Sequence, residues 1–130
     1  MSGEPGEPRT VFRVGGISYL EIPAPDPPAL AAFYAAVFGW SVRPDAEHAA
    51  FEDATGDVIG HFVRDREVAG EAGVRAYVYV ESVDDALAAV AANGGSTATP
   101  PAPEGGLRVA AFRDPAGNVL GLWQRVAPAP

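Results

Sequence analysis

Tyr19 and Glu21 stand two residues apart in the run ISYLEIP. On a strand, both side chains emerge on one face roughly 7 Å apart. A carboxylate base and a phenol acid at that spacing can flank a small substrate. Arg75, Tyr77 and Tyr79 alternate in the same way within VRAYVYVE. They offer a guanidinium fork for a carboxylate or phenolate beside two rings that can stack. The other groups able to ligate a metal are His48, His61, Glu47 and Glu52. His61 alternates with Gly60 and Phe62, so by parity it faces away from the side those two share. His48 opens a strand and reads as a solvated edge residue. There is no Ser-His-Asp arrangement and no phosphate-cradling loop; Gly105-Gly106 sits in a Pro-rich connection and reads as a turn.

These groups must be carried by a duplicated framework. AAFEDATGDVIG at residues 49–60 returns as AAFRDPAGNVLG at residues 110–121, with seven of the twelve letters unchanged. Each copy predicts a strand ending near Phe, an Asp-x-x-Gly turn and a strand starting at Val. Upstream of the first copy, a short alternating run leads to Asp26 as helix cap and Pro27 at the first helical position. Leu30, Phe33, Tyr34 and Val37 then follow at helical spacing up to Gly39. Upstream of the second copy, VRAYVYVE leads to Ser82 with Asp85 three residues on. Leu87, Val90 and Ala91 form the stripe that Asn93-Gly94-Gly95 ends. The chain therefore predicts two β-α-β-β-β modules, about 12–66 and 72–126, in a single α+β domain over 1–130. Residues 1–10 and 127–130 are expected to be disordered.

Composition sets the outer bounds. The 130 residues are 48% apolar and 20% charged, enough for one core. No run reaches the roughly 18 to 20 apolar residues of a membrane span, and the N-terminus has no apolar segment of the signal-peptide kind. With no cysteine there is neither disulfide nor thiolate chemistry, which suits a cytoplasmic protein. The net charge is −8 and all nine basic residues are arginine, so no basic stripe for nucleic acid can form. The absence of lysine, with abundant alanine, fits a GC-rich bacterial coding source.

Residues 19–40, YLEIPAPDPPALAAFYAAVFGW, and residues 112–124, FRDPAGNVLGLWQ, resemble the vicinal oxygen chelate superfamily. That superfamily holds glyoxalase I, extradiol dioxygenases, fosfomycin-resistance enzymes and bleomycin-binding resistance proteins. The resemblance covers essentially the whole folded chain. It implies two tandem β-α-β-β-β modules forming a curled mixed sheet with a concave cavity, commonly completed in a homodimer. It also implies where a metal would sit, on the first strand of each module and on the last strand. Carried over residue by residue, those positions hold Tyr19, Arg75, Gly121 and its repeat partner Gly60. These do not make a metal site, because a divalent ion needs three or four deprotonated N or O donors and a guanidinium repels it.

Strand parity fills the cavity with other side chains: Tyr19 and Glu21, Arg75 with Tyr77 and Tyr79, Gly121 with Trp123, Gly60 with Phe62. The two glycines leave room for a ligand near the backbone. A metal-independent dimer follows that needs no cofactor and sequesters a small aromatic or anionic molecule, as an antibiotic-resistance protein does. Tyr77, Tyr79, Trp123 and Phe62 stack on that ligand while Arg75 takes its charge. A second reading is an enzyme of the same fold: a metal-dependent lyase or dioxygenase with relocated ligands, or a metal-free isomerase, epimerase or cyclase using Glu21 as base and Tyr19 as acid. A third is an interaction module with a filled core, in which Glu21 and Arg75 close a structural ion pair. Neither membrane nor nucleic acid is an expected partner.

Overall fold

The computed structural model describes residues 10–126. Apart from Thr10, which opens a short 3₁₀ turn over Thr10–Phe12, the terminal residues expected to be disordered lie outside the described ones. The chain divides into two compact units, Met1–Arg66 and Glu67–Pro130.

The first unit runs β1 (Tyr19–Pro23), α1 (Pro27–Phe38), β2 (Ser41–Arg43), β3 (His48–Glu52) and β4 (Ile59–Val63). Its sheet has the order β1-β4-β3-β2, with β1 parallel to β4 and the remaining pairs antiparallel. The second unit repeats the plan with β5 (Tyr77–Tyr79), α2 (Val83–Ala92), β6 (Ser96–Glu104), β7 (Leu107–Arg113) and β8 (Val119–Arg125), in the order β5-β8-β7-β6. Each unit is thus a β-α-β-β-β module in an α+β chain, and the two sheets are separate four-stranded sheets.

Both helices begin where side chains can satisfy their free N–H groups. The Asp26 carboxylate accepts from Ala29 N at 3.2 Å ahead of Pro27, and Gly39 ends α1 in the left-handed conformation at φ 73°. Ser82 Oγ accepts from Asp85 N at 3.0 Å, and Gln124 of β8 accepts a second N–H, from Val83, at 2.7 Å. That contact ties the start of α2 to the end of its own sheet.

Under α1 the first unit packs a ladder of rings. Tyr34 stacks on Trp40 at 4.6 Å, Trp40 on Phe51 at 4.8 Å, and Phe51 meets Phe62 at 5.0 Å. Phe62 is fully buried, 0% exposed, and is core rather than the ligand-stacking ring that its parity with Gly60 suggested. Register supplies the reason. Phe62 pairs with Ile22 and Ala49, and Gly60 pairs with Leu20 and Phe51, all on the helix side. Tyr19 pairs with Ile59 and Glu21 with His61, on the open side.

The repeated hairpin closes differently in its two copies. Asp53 N–H bonds Val58 O at 2.9 Å, five residues on, whereas Asp114 N–H bonds Asn118 O at 2.8 Å, four residues on. Phe51 consequently faces Gly60, while Phe112 faces Leu120. A one-residue slip moves every side chain of a strand to the other face. The aligned glycines therefore face opposite ways: Gly60 lies under the Phe51 ring on the helix side, and Gly121 under the Tyr77 ring on the open side. His61, not Gly60, takes the register place that Gly121 holds in the second unit.

The two turns differ in their side-chain bonds. Asn118 donates its side-chain amide to Asp114 Oδ2 at 2.9 Å and its backbone N–H to Oδ1 at 3.0 Å, and both residues are buried. Asp57 stands at the aligned position and has no donor to offer a second carboxylate. Thr55 Oγ1 instead donates to Asp53 at 2.8 Å, and Asp57 turns outward to Arg13 at 3.8 Å. The strand resumes one residue later.

Candidate functional site

The open face of the first sheet carries the polar residues. Tyr19 and Glu21 project from β1, His61 from β4 between them and β3, and His48 from the start of β3. The Tyr19 hydroxyl hydrogen-bonds His61 Nδ1. The His61 ring also meets His48 edge to face at 5.0 Å. Burial first, and then the charge of Glu21, raises the Tyr19 pKa above the ordinary phenol value. With Tyr19 as donor the proton of a neutral imidazole stands on Nε2, and with His61 as donor it stands on Nδ1. Glu21 leans toward Arg66 at 3.8 Å, an exposed and solvent-screened pair.

The Tyr19–His61 pair forms a ridge between two hollows. One, of about 370 Å³, spreads over Ala50 and Ile59 toward Ser41 and Arg43 on β2, and the Gly60 backbone contributes to its wall. The other, of about 440 Å³, holds Glu21, Glu47, His48, Arg64 and Asp65.

The open face of the second sheet is aromatic. Tyr77, Tyr79, Gly121 and Trp123 share it by register, with Tyr77 52% and Tyr79 49% exposed. Tyr79 meets Trp123 edge to face at 4.7 Å, and its hydroxyl oxygen accepts from Arg125 N at 3.4 Å. A β-carbon on Gly121 would lie 2.2 Å from the Tyr77 ring. The space expected above this glycine is therefore occupied by Tyr77. Arg75 lies ahead of β5 and is paired with Glu71 at 3.2 Å, not with Glu21; Glu71 also meets Arg113 at 3.7 Å. Its fork is engaged within the second unit.

Sequence reasoning set His61 aside, although its parity statement was right: His61 does face away from Gly60 and Phe62. The error was in which face of β4 is open. Counting outward from each turn's closing hydrogen bond, rather than aligning letters, places His61 beside Tyr19.

Some donors on this face are already engaged. Nδ1 of His61 is engaged by Tyr19, and Glu21 leans to Arg66. Among the described residues no group of three or more His, Cys, Asp or Glu is placed to hold a metal. The matching face of the second unit offers Tyr77, Gly121 and Trp123, none of them a metal-binding donor of the required kind.

Two modules of this topology, each with one helix over one face of a four-stranded mixed sheet, define the glyoxalase-like fold of the vicinal oxygen chelate superfamily. The chain belongs to the glyoxalase-like domain family, whose model matches residues 19–123. A glyoxalase/bleomycin resistance protein/dioxygenase family enzyme from Burkholderia phytofirmans PsJN is 20% identical with a TM-score of 0.71, over 84% of this chain and 98% of its own. TioX from Micromonospora sp. ML1 is 23% identical with a TM-score of 0.64, over 86% of this chain and 100% of its own. The fosfomycin resistance protein FosX from Listeria monocytogenes is 17% identical with a TM-score of 0.70, over 86% and 94%. Likeness at these identities carries the fold alone. No curated protein matches the chain. No helix among the described residues is long and apolar enough to cross a membrane.

Proposed function

We propose that this chain is a metal-independent small-molecule binding protein that holds an aromatic or anionic ligand on the open faces of its sheets, in the manner of a sequestering resistance protein. The observation that carries this reading is the exposed rings of Tyr77 and Tyr79 beside the half-buried Trp123, together with a polar ridge at Tyr19, Glu21 and His61. Half-exposed rings at register positions are costly to leave in water and supply flat stacking surface to a ligand. The protein works as a cytoplasmic homodimer, in which a second copy covers apolar side chains such as Val14 and Val74, exposed in the single chain. Replacing Trp123 by Ala should weaken binding of aromatic carboxylates or phenols, screened by thermal shift, by about tenfold or more, near 1.4 kcal/mol. The melting temperature of the unliganded variant should stay close to that of the wild type. Unchanged affinity, or a collapsed fold, contradicts the reading.

One observation favours a second reading. The Tyr19 hydroxyl bonded to His61, with Glu21 beside it, is an arrangement a metal-free isomerase or lyase could use, with Glu21 as base and Tyr19 as acid. Turnover lost in both Glu21→Gln and Tyr19→Phe, with binding retained, would establish it.

A further inference from the structure

The hollow over Ala50 has a charge arrangement that no expectation above anticipated. Glu21, His61, Ala50 and Arg43 form one row across all four strands of the first sheet. Because the middle position is only a methyl group, the row is open between His61 and Arg43. Their strands lie two spacings apart, roughly 10 Å. Ile59 adds an apolar floor.

Arg43 is unlike the other arginines near acids. Arg13, Arg66, Arg75, Arg108 and Arg113 each pair with a carboxylate, and Arg64 donates to Ala46 O. The Arg43 side chain has no ion pair or hydrogen bond among the described residues, and Arg43 lines the hollow. The acid lining the same hollow, Glu52, turns along the sheet toward the hairpin: a β-carbon on Gly56 would lie 3.1 Å from its Oε2. Opposite Arg43 stands the His61 ring, bonded through Nδ1 to the Tyr19 hydroxyl, and where that hydroxyl donates, Nε2 carries the imidazole N–H. An arginine on one side and an imidazole on the other, with Ile59 between them in a hollow of about 370 Å³, is chemistry for a flat organic anion.

We infer, resting on the ligand-binding reading above, that this hollow holds the anionic group of the ligand, a carboxylate or phenolate on a planar ring. Arg43 takes the charge, His61 donates from Nε2, and Tyr19 acts as a positioning residue for His61. In a chain of net charge −8 an organic anion needs such a local cation to dwell at the surface.

Benzoate and its neutral isostere benzamide are the probes, titrated into the full chain and followed by NMR shifts and calorimetry. Benzoate should bind about tenfold or more tightly than benzamide, and more weakly as salt rises. Arg43→Ala should abolish that preference. Arg108→Ala, which removes the same charge from a pair with Asp84, should preserve it. Arg43 lies on an exposed edge strand, so the variant should melt with the wild type. In Tyr19→Phe the ¹⁵N pattern of the His61 ring should move away from a purely Nε2–H form; an unchanged pattern overturns the positioning role. Benzoate binding that ignores Arg43→Ala but is lost in Trp123→Ala overturns this inference and leaves the ligand-binding reading standing. Binding of neither probe at up to about 10 mM, roughly 3 kcal/mol of affinity, overturns both.

Discussion

Gly60→Ala is expected to destabilise the protein by about 4 kcal/mol or more, and Gly121→Ala by less than about 2 kcal/mol, although the two glycines align in the repeat. A β-carbon on Gly60 would lie 2.0 Å from the Leu20 carbonyl oxygen and 2.6 Å from the Phe51 ring. The first is backbone in the parallel β1–β4 pairing, and the second is clamped in the stack of Trp40, Phe51 and Phe62. Neither can yield without opening the sheet or the core. The clash at Gly121 is with the Tyr77 ring, which is 52% exposed and can swing outward. Urea unfolding followed by circular dichroism compares the two variants. Equal costs would contradict the opposite facing of these glycines.

The second large effect belongs to the turn that sets the register. Asn118→Asp is expected to cost about 2–4 kcal/mol at neutral pH, because it replaces the donor to Asp114 Oδ2 with a second carboxylate in a buried turn. The sign of its pH dependence follows. Two carboxylates forced together in the native state hold a proton more tightly than in the unfolded chain, so the variant's deficit shrinks as pH falls and grows as pH rises. Unfolding curves between about pH 4 and pH 8 read this directly. A variant as stable as the wild type at pH 7 would show that the amide does not hold the turn.

Much of this architecture was legible because it rests on local chemistry. Asp26 with Pro27 and Ser82 with Asp85 marked both helix starts, and the doubled Asp-x-x-Gly turn marked both hairpins. The resemblance in residues 19–40 and 112–124 supplied the fold, and the family match over residues 19–123 bears it out. The faces of β4 were not legible by aligning letters, because identical strands were offset by the turn between them. Asp57 against Asn118 was the visible signal, a carboxylate where the other copy has an amide donor. The offset removes Phe62 from the site, turns Gly60 toward the core and brings His61 to Tyr19. The engagement of Arg75 was also readable: Glu71 stands four residues before it. The openness of Arg43 was not, since it depends on a neighbour in the sheet being only alanine.

The central claim is a vicinal oxygen chelate fold whose open faces serve an organic ligand without a metal. Native mass spectrometry of the freshly purified protein, repeated after denaturation and paired with elemental analysis, tests it most directly. The account predicts a homodimer with no stoichiometric divalent ion, and any mass excess lost on denaturation should be an organic molecule. One divalent ion per chain would contradict it, and would make Glu21, His48 and His61 the first residues to replace.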